Sequence, residues 1–284
     1  MTEKWYQTAF GPHYPILYGH RNEEEASSCL DLLPKLAPLA GDEDSGLGRI
    51  LDLGCGQGRH LARLAYGPIP VVGLDLSAAL LKLAVCQMEG GKCAPLVRGD
   101  MLALPFLDNS FSAVLSLFTA FGYCGNLAQN RPVVEQIAQV LKQGGHWYLD
   151  YLNADRVRQE LGGKGSHNRS RSAGPLAVTE TRVLSPDADR VIKTVVVESR
   201  PGCASEALAA GIPSEGLSYQ EQVALFTVQD LDQLAGELGL ERVAEAGNYK
   251  GDPLGQGERW ILVYRRVRNL TVRTVPKVEV SDVL

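Results

Sequence analysis

Ile50-Leu51-Asp52-Leu53-Gly54-Cys55-Gly56-Gln57-Gly58-Arg59-His60 is the stretch that decides how this chain of 284 residues is read. Four residues suited to a buried strand run into three glycines spaced two apart, and an amphipathic segment follows. Glycine has no Cβ, so such a turn can bend sharply, visit φ > 0 and let a ligand lie against the peptide plane. Asp52, just before the turn, can hold a positively charged or hydroxyl-bearing group. The pattern reads as a nucleotide-type cofactor loop at the carboxyl end of a strand, where open α/β sheets bind their ligands. A dinucleotide fingerprint would be G-x-G-x-x-G, but here the third glycine falls one place early and Arg59 takes the fingerprint position. That position needs glycine for close helix–strand packing, so a nicotinamide loop is disfavoured.

Strand and helix signals alternate around this loop. Strands are expected at 49–53, 71–75, 94–98, 112–117 and 146–151, and helices at 59–66, 77–88 and 130–142, the last stopped by Gly144-Gly145. Such alternation implies right-handed crossovers and a parallel sheet covered on both faces. Residues 5–37 read as a helical lead-in, with Asn22-Glu23-Glu24-Glu25-Ala26 as a helix start whose acidic side chains suit the macrodipole. After Asn153 the texture changes. Residues 162–175 read as a polar, glycine- and serine-rich loop, while 178–184, 190–198 and 218–227 are rich in β-branched residues and read as a small antiparallel sheet. One more helix begins at Val228, and a strand pair follows at 240–246 and 259–266. The expected organisation is an N-terminal helical cover (1–45), a cofactor-binding core (46–153), an antiparallel β insert forming a substrate lid (154–227), a C-terminal part of the core (228–267) and an extended or partly disordered tail (268–284).

Composition narrows the classes of function. A formal net charge of −5 argues against a protein that clamps a nucleic-acid backbone, which usually carries a basic surplus. The six cysteines form no C-x-x-C and no zinc-ligand spacing, so they read as reduced thiols, a cytoplasmic trait, and no metal is expected. Met1-Thr2-Glu3-Lys4-Trp5 has no signal-peptide pattern, and no apolar run approaches the roughly 18 residues that a membrane span needs. The expectation is a soluble cytoplasmic protein without nucleic-acid or membrane partners, with room for a homodimer.

Three further stretches carry chemistry. Asp75 ends the second strand, 21 residues beyond Gly54, where an acid can accept hydrogen bonds from both ribose hydroxyls. Asp100, in Gly99-Asp100-Met101, can accept from an adenine exocyclic amine, while Met101 and Leu102 can cover the ring face. The strand from Phe111 to Leu117 then ends where a reacting group would sit.

Taken together, Asp52-x-Gly54-x-Gly56-x-Gly58, Asp75, Asp100 and the Phe111–Ser116 strand resemble a class I S-adenosylmethionine-dependent methyltransferase over residues 49–153. The resemblance implies an α/β fold: a seven-stranded Rossmann-like sheet with helices on both faces and its last strand antiparallel, inserted beside its neighbour. It implies that Gly54 and Gly56 lie against the methionine portion of the cofactor, Asp75 on the ribose and Asp100 by the adenine. Asp52, Cys55, Leu76, Met101, Leu102 and Leu117 complete the implied cofactor shell. Arg21 would pair with the cofactor carboxylate, or else form a surface salt bridge with Glu24 or Glu25.

The flanking segments 10–21, 117–123 and 247–253 are similar to small-molecule methyltransferases of the sugar-amine and glycine N-methyltransferase kind. That resemblance implies an N-terminal helix over the cofactor and an antiparallel insert over the substrate, with Tyr14 and Tyr123 as the catalytic candidates. A phenol can orient an amine or hydroxyl nucleophile, and its electron-rich face suits a cationic methyl. Tyr123 stands where some relatives carry histidine, which weakens any general-base role. The implied function is methyl transfer to a small-molecule nitrogen or oxygen. The alternatives are a non-catalytic S-adenosylmethionine-binding protein, a methyltransferase acting on a macromolecule, and the disfavoured nicotinamide oxidoreductase. The Asn/Asp-Pro-Pro-Tyr of base aminomethylation is missing, because Ser116-Leu117-Phe118-Thr119 stands there.

Overall fold

A computed structural model of the protein describes residues 5–11, 13–18, 23–40, 48–88 and 91–268. Helices α1 (Trp5–Ala9), α2 (Tyr14–Leu17) and α3 (Glu23–Leu36) come first. The alternating stretch gives β1 (Ile50–Leu53), α4 (Arg59–Leu64), β2 (Val71–Asp75), α5 (Ala78–Met88), β3 (Leu96–Arg98), β4 (Phe111–Ser116), α6 (Leu127–Val140) and β5 (Leu141–Leu152). Then follow α7 (Ala154–Gly162), β6 (His167–Ala173), β7 (Leu176–Leu184), β8 (Arg190–Ser199), α8 (Ala204–Ala209) and β9 (Leu217–Ala224). The described elements end with α9 (Val228–Glu237), β10 (Leu240–Ala246) and β11 (Arg259–Arg266). They fall into two compact units: one holds α3–α6, α9, β1–β5, β10 and β11, and the other holds α1, α2, residues 122–126, α7, α8 and β6–β9.

The larger unit is a seven-stranded sheet in the order β10-β11-β5-β4-β1-β2-β3. β1 pairs in parallel with both β2 and β4, so the strand order reverses on either side of it. That reversal is the topological switch point where open sheets bind ligands. β4 and β5 are parallel, and β11 is inserted antiparallel between β5 and β10, as the family resemblance implied. Every residue of β1 and of β4 is buried, which is why both read as near-continuous apolar runs rather than alternating ones. α3 begins at Glu23, with Glu23, Glu24 and Glu25 in its first turn.

The junction between α6 and β5 differs from expectation, for a tertiary reason. α6 stops at Val140 rather than at 142, because Leu141 pairs with Phe111 and opens β5 five residues early. A register irregularity between Phe111 and Ala113 absorbs the extra residues before His146 pairs with Ala113.

The smaller unit is built on a four-stranded antiparallel sheet in the order β6-β7-β8-β9. β6 corrects the expected loop over 162–175: His167–Ala173 pairs with Leu176–Arg182 through seven residue pairs. Its sequence, His-Asn-Arg-Ser-Arg-Ser-Ala, has no apolar alternation because it is a mostly exposed edge strand, held by the backbone ladder rather than by a buried face. α7 and α8 also lie where no helix was expected. One core gathers Leu176, Val178, Val195 and Val197 with Leu17, Ala207 and Ile212. Beside it, the Tyr18 hydroxyl donates to Glu221 Oε1 (2.5 Å), and Lys193 Nζ reaches both the Tyr18 oxygen and Glu221 Oε2 at 2.6 Å.

Gly58 shows how tightly the first loop is built in. It caps α4 at φ +83°, and a Cβ there would lie 2.9 Å from Ala84 Cβ of α5. Both the left-handed backbone and the close approach require glycine. Gly58→Ala should therefore cost roughly 1–3 kcal/mol of stability, seen as a lower urea midpoint with an unchanged slope.

Candidate active site

The glycine loop leaves β1 at the switch point and is hydrogen-bonded to the end of β2. Gly54 N–H and Cys55 N–H both donate to the Leu74 carbonyl, at 2.8 and 3.0 Å, and Gly58 N–H closes the turn on the Cys55 carbonyl at 3.0 Å. Gly54, Gly56 and Gly58 all have positive φ. Asp75 holds this arrangement: its Oδ2 accepts from Gly56 N–H and its Oδ1 from Ser77 N–H, each at 2.8 Å. Burial raises the Asp75 pKa, while the backbone amides of Ser77, Gly56 and Leu76 pull it back.

Asp52 is 1% exposed, and among the described residues its Oδ2 has no hydrogen-bond partner. Burial first, and then the negative charge of Asp75, push its pKa up to about 7, against the opposing pull of Arg59. A carboxylate in that state is poised to gain from a cationic partner.

The other expected positions line the same edge of the sheet. Asp75 stands opposite Arg98 in the β2–β3 ladder, and Asp100 follows β3 in a turn where its Oδ1 accepts from Leu102 N–H at 3.0 Å. Leu76, Met101 and Leu102 are half-buried, whereas Cys55 and Leu117 are buried. β1, β2, β3 and β4 thus bring Asp52, Gly54, Gly56, Asp75, Asp100 and Leu117 to their carboxyl ends. Arg21 lies outside the described residues, as does the tail beyond 268.

Beyond β4 the chain does something the sequence did not announce. Phe118 and Thr119 sit at φ 54° and 63°, a left-handed conformation that bulky residues rarely take. Asp150 of β5 holds both: its Oδ2 accepts from Phe118 N–H at 2.8 Å, and its carbonyl accepts from Thr119 N–H at 2.9 Å. Asp150 is 0% exposed and is itself held by Arg259 Nε (2.5 Å, to Oδ1) and by the Tyr249 hydroxyl (2.6 Å, to Oδ2). Arg259 also donates to Thr119 Oγ1 at 3.0 Å. Two guanidinium groups lie over the Phe118 ring, Arg59 at 4.3 Å and Arg259 at 5.2 Å from its centroid. His60 lies 5.2 Å from the same ring, buried, with no partner for Nε2 among the described residues. Its pKa is pushed down to about 3 by burial and by Arg59 and Arg259, so it stays neutral. The available signal was a charged residue inside an apolar strand, in Tyr148-Leu149-Asp150-Tyr151 and again in Arg259-Trp260-Ile261.

Tyr14 and Tyr123 belong to the smaller unit, where Phe10 joins them: its ring centroid is 5.4 Å from Tyr14 and 5.9 Å from Tyr123. Tyr123 also meets Trp5 edge-on at 5.0 Å and stacks on Tyr6 at 6.4 Å. These half-buried rings form a continuous aromatic cluster that extends through Tyr14 to Tyr18. His13, buried nearby, has an Nε2 without a partner among the described residues, and burial lowers its pKa.

Residues 50–145 match the family described as "Methyltransferase domain". A demethylmenaquinone methyltransferase of Clavibacter sepedonicus is 36% identical over 110 residues, covering 39% of this chain and 41% of that protein. The dTDP-3-amino-3,4,6-trideoxy-alpha-D-glucopyranose N,N-dimethyltransferase of Streptomyces venezuelae is 28% identical over 169 residues, 55% of this chain and 67% of that one. The matched stretch spans less than half the length of the first curated relatives, at 41%, 43% and 41%. In fold, the CcbJ methyltransferase of Streptomyces caelestis superposes with a TM-score of 0.71 at 19% identity, over 92% of this chain and 98% of that structure.

The Asp150 network generates a stability test. Neutralising one partner of a buried ion pair leaves the other charge uncompensated, at a cost of about 3–5 kcal/mol. Asp150→Asn should lower the urea midpoint accordingly, since Arg259 keeps its charge without a counterion.

Proposed function

We propose that this chain, whose residues 50–145 match a methyltransferase-domain family, moves a methyl group from S-adenosylmethionine to a nitrogen or oxygen of a small molecule. The observation that carries the reading is the glycine loop tied by Asp75 at the point of strand reversal, beside Asp52, a buried carboxylate with an oxygen that has no partner among the described residues. These residues fit the cofactor. Asp52 suits its ammonium, Gly54 and Gly56 leave room for the chain that bears it, and Asp75 keeps lone pairs for the ribose hydroxyls. Asp100, with Met101 and Leu102, suits an adenine. When bound, S-adenosylmethionine supplies an electrophilic methyl together with its own leaving group.

The protein's part in such a displacement is alignment and exclusion of water. Tyr14 and Tyr123 are our candidates for orienting the acceptor, within the aromatic cluster of Trp5, Tyr6 and Phe10. Ring faces there suit an amine-bearing acceptor. Support for a small-molecule acceptor comes from the relatives, two of which are named for a quinone and an amino sugar. A cytoplasmic setting fits the free cysteines.

Calorimetry with S-adenosylmethionine and NADH separates the donors: the sulfonium ligand should bind, and tight NADH binding alone would sink the reading. Asp75→Ala should weaken S-adenosylmethionine binding by roughly 1–3 kcal/mol, since it removes the ribose acceptor and frees Gly56. Affinity should also depend on pH. Above the folded pKa of about 7 Asp52 is ionised, and below it the carboxyl is neutral and loses its hold on a cation. Binding should therefore tighten as pH rises through 7, then weaken above about pH 8 as the ligand's α-amino group deprotonates. Asp52→Asn should flatten the lower limb of that profile, measured as Kd against pH.

A further inference from the structure

We propose that the inner face of the four-stranded sheet carries a binding site, built by His13, Arg171 and Tyr219, for an uncharged hydroxyl at the far end of the methyl acceptor. The proposal rests on the small-molecule reading of the Tyr14–Tyr123 cluster and adds to it the class of group that the acceptor presents there.

The pairing register puts five polar side chains on one face of the sheet. Glu180 lies opposite Val195, Val195 opposite Tyr219, and Lys193 opposite Glu221. Arg171 lies opposite Val178, two residues before Glu180. Residues two apart share a face of a strand. Arg171, Glu180, Lys193, Tyr219 and Glu221 therefore project to the side where Val178, Val195 and Val197 form the core. That face is apolar at one end and polar at the other, yet the polar end is sheltered too. Glu180 and Tyr219 are buried, and the side chains of Lys193 and Glu221 are 11% and 16% exposed. Packing alone would be served better by more valine.

Most of these groups satisfy one another. Arg171 Nη2 meets Glu180 Oε1 at 3.2 Å, Lys193 Nζ meets Glu221 Oε2 at 2.6 Å, and the Tyr18 hydroxyl donates to Glu221 Oε1. Three atoms are not so matched. His13 Nε2, the Tyr219 hydroxyl and Arg171 Nε are buried with no hydrogen-bond partner among the described residues, His13 and Tyr219 being 6% and 7% exposed. A buried polar group without a partner is costly, and here two of the three lie together, with ring centroids 6.0 Å apart. The site also adjoins the candidate acceptor-orienting rings, since Tyr18 lies 4.5 Å from Tyr14.

Charge selects the class of ligand. The two sheltered ion pairs cancel, and Arg182, a further cation that acts on Glu180, is exposed to solvent. Burial lowers the His13 pKa and keeps the imidazole neutral, while burial and Glu221 hold the Tyr219 phenol protonated. A carboxylate or ammonium entering here would be buried without a counterion of its own. A hydroxyl can accept from Tyr219 or from Arg171 Nε and exchange a hydrogen bond with the neutral imidazole, at no cost in charge.

The test titrates the full chain, by NMR, with three ring amines that differ at one position: cyclohexylamine, trans-4-aminocyclohexanol and trans-4-aminocyclohexanecarboxylate. The wild type should favour the aminocyclohexanol over cyclohexylamine by roughly tenfold, the scale of one or two net hydrogen bonds, and should bind the carboxylate most weakly. Tyr219→Phe removes only the hydroxyl and should cut the preference for the aminocyclohexanol by about three- to tenfold. Glu221→Gln leaves Lys193 without its counterion, so the carboxylate probe should gain about tenfold in that variant. The conservative Tyr219→Phe keeps the question answerable if Glu221→Gln does not fold. Equal wild-type affinity for the aminocyclohexanol and cyclohexylamine means that water alone serves the three atoms, and it overturns the assignment. So does a wild-type preference for the carboxylate, or a Tyr219→Phe variant with unchanged selectivity. Methylation of the probes by S-adenosylmethionine is scored separately: the expected selectivity without any methyl transfer supports the hydroxyl site and overturns the reading of these amines as acceptors.

Discussion

One carboxylate organises the switch-point edge of the larger unit. Asp75 accepts the Gly56 amide on one oxygen and the Ser77 amide on the other, so a single side chain ties the loop after β1 to the turn after β2. Without it, two amides and a left-handed loop would lack their shared acceptor. The same loop runs so close to α5 that a Cβ at Gly58 would lie 2.9 Å from Ala84 Cβ. The same charge sets the electrostatics of its neighbour. Burial first, and then the charge of Asp75, hold the Asp52 proton to about pH 7, with Arg59 as the moderating cation. Asp75 thus bears on both the loop geometry and the charge state of Asp52.

Much of this could be read from residue order alone. β1, β2 and β4 are apolar runs because central parallel strands are covered on both faces, and the glycine spacing demands a backbone that only glycine adopts without strain. Asp75 was legible because it ends a strand next to that loop. β6 was not, since an exposed edge strand of serines and arginines carries no pattern; its evidence is its partner, Leu176–Leu184. The early start of β5 was hidden for the same reason, because Leu141 becomes a strand residue only by pairing with Phe111.

The Asp150 cluster was illegible for a different reason. It joins Phe118, Asp150, Tyr249 and Arg259, residues that no local window contains together. Arg59 was visible but read for what it prevented, a dinucleotide loop, and its stacking on Phe118 depends on a ring placed by that same distant cluster. Tyr14 and Tyr123 were chosen separately by resemblance, and Phe10 is the residue that makes them part of one cluster.

The left-handed pair Phe118–Thr119 has a consequence for how the protein comes into being. Two such residues cost about 1–3 kcal/mol each when nothing holds them. Their holders arrive late: Asp150 follows by about thirty residues, and Tyr249 and Arg259 by well over a hundred. During synthesis the Rossmann-like strands β1 to β4 can pair long before Arg259 leaves the ribosome, and domains form in that direction. The turn beyond β4 has its full set of holders only when β11 slides between β5 and β10. A nascent chain therefore builds its glycine loop early and finishes the turn last, so the antiparallel strand acts as the keystone of the edge as well as a member of the sheet.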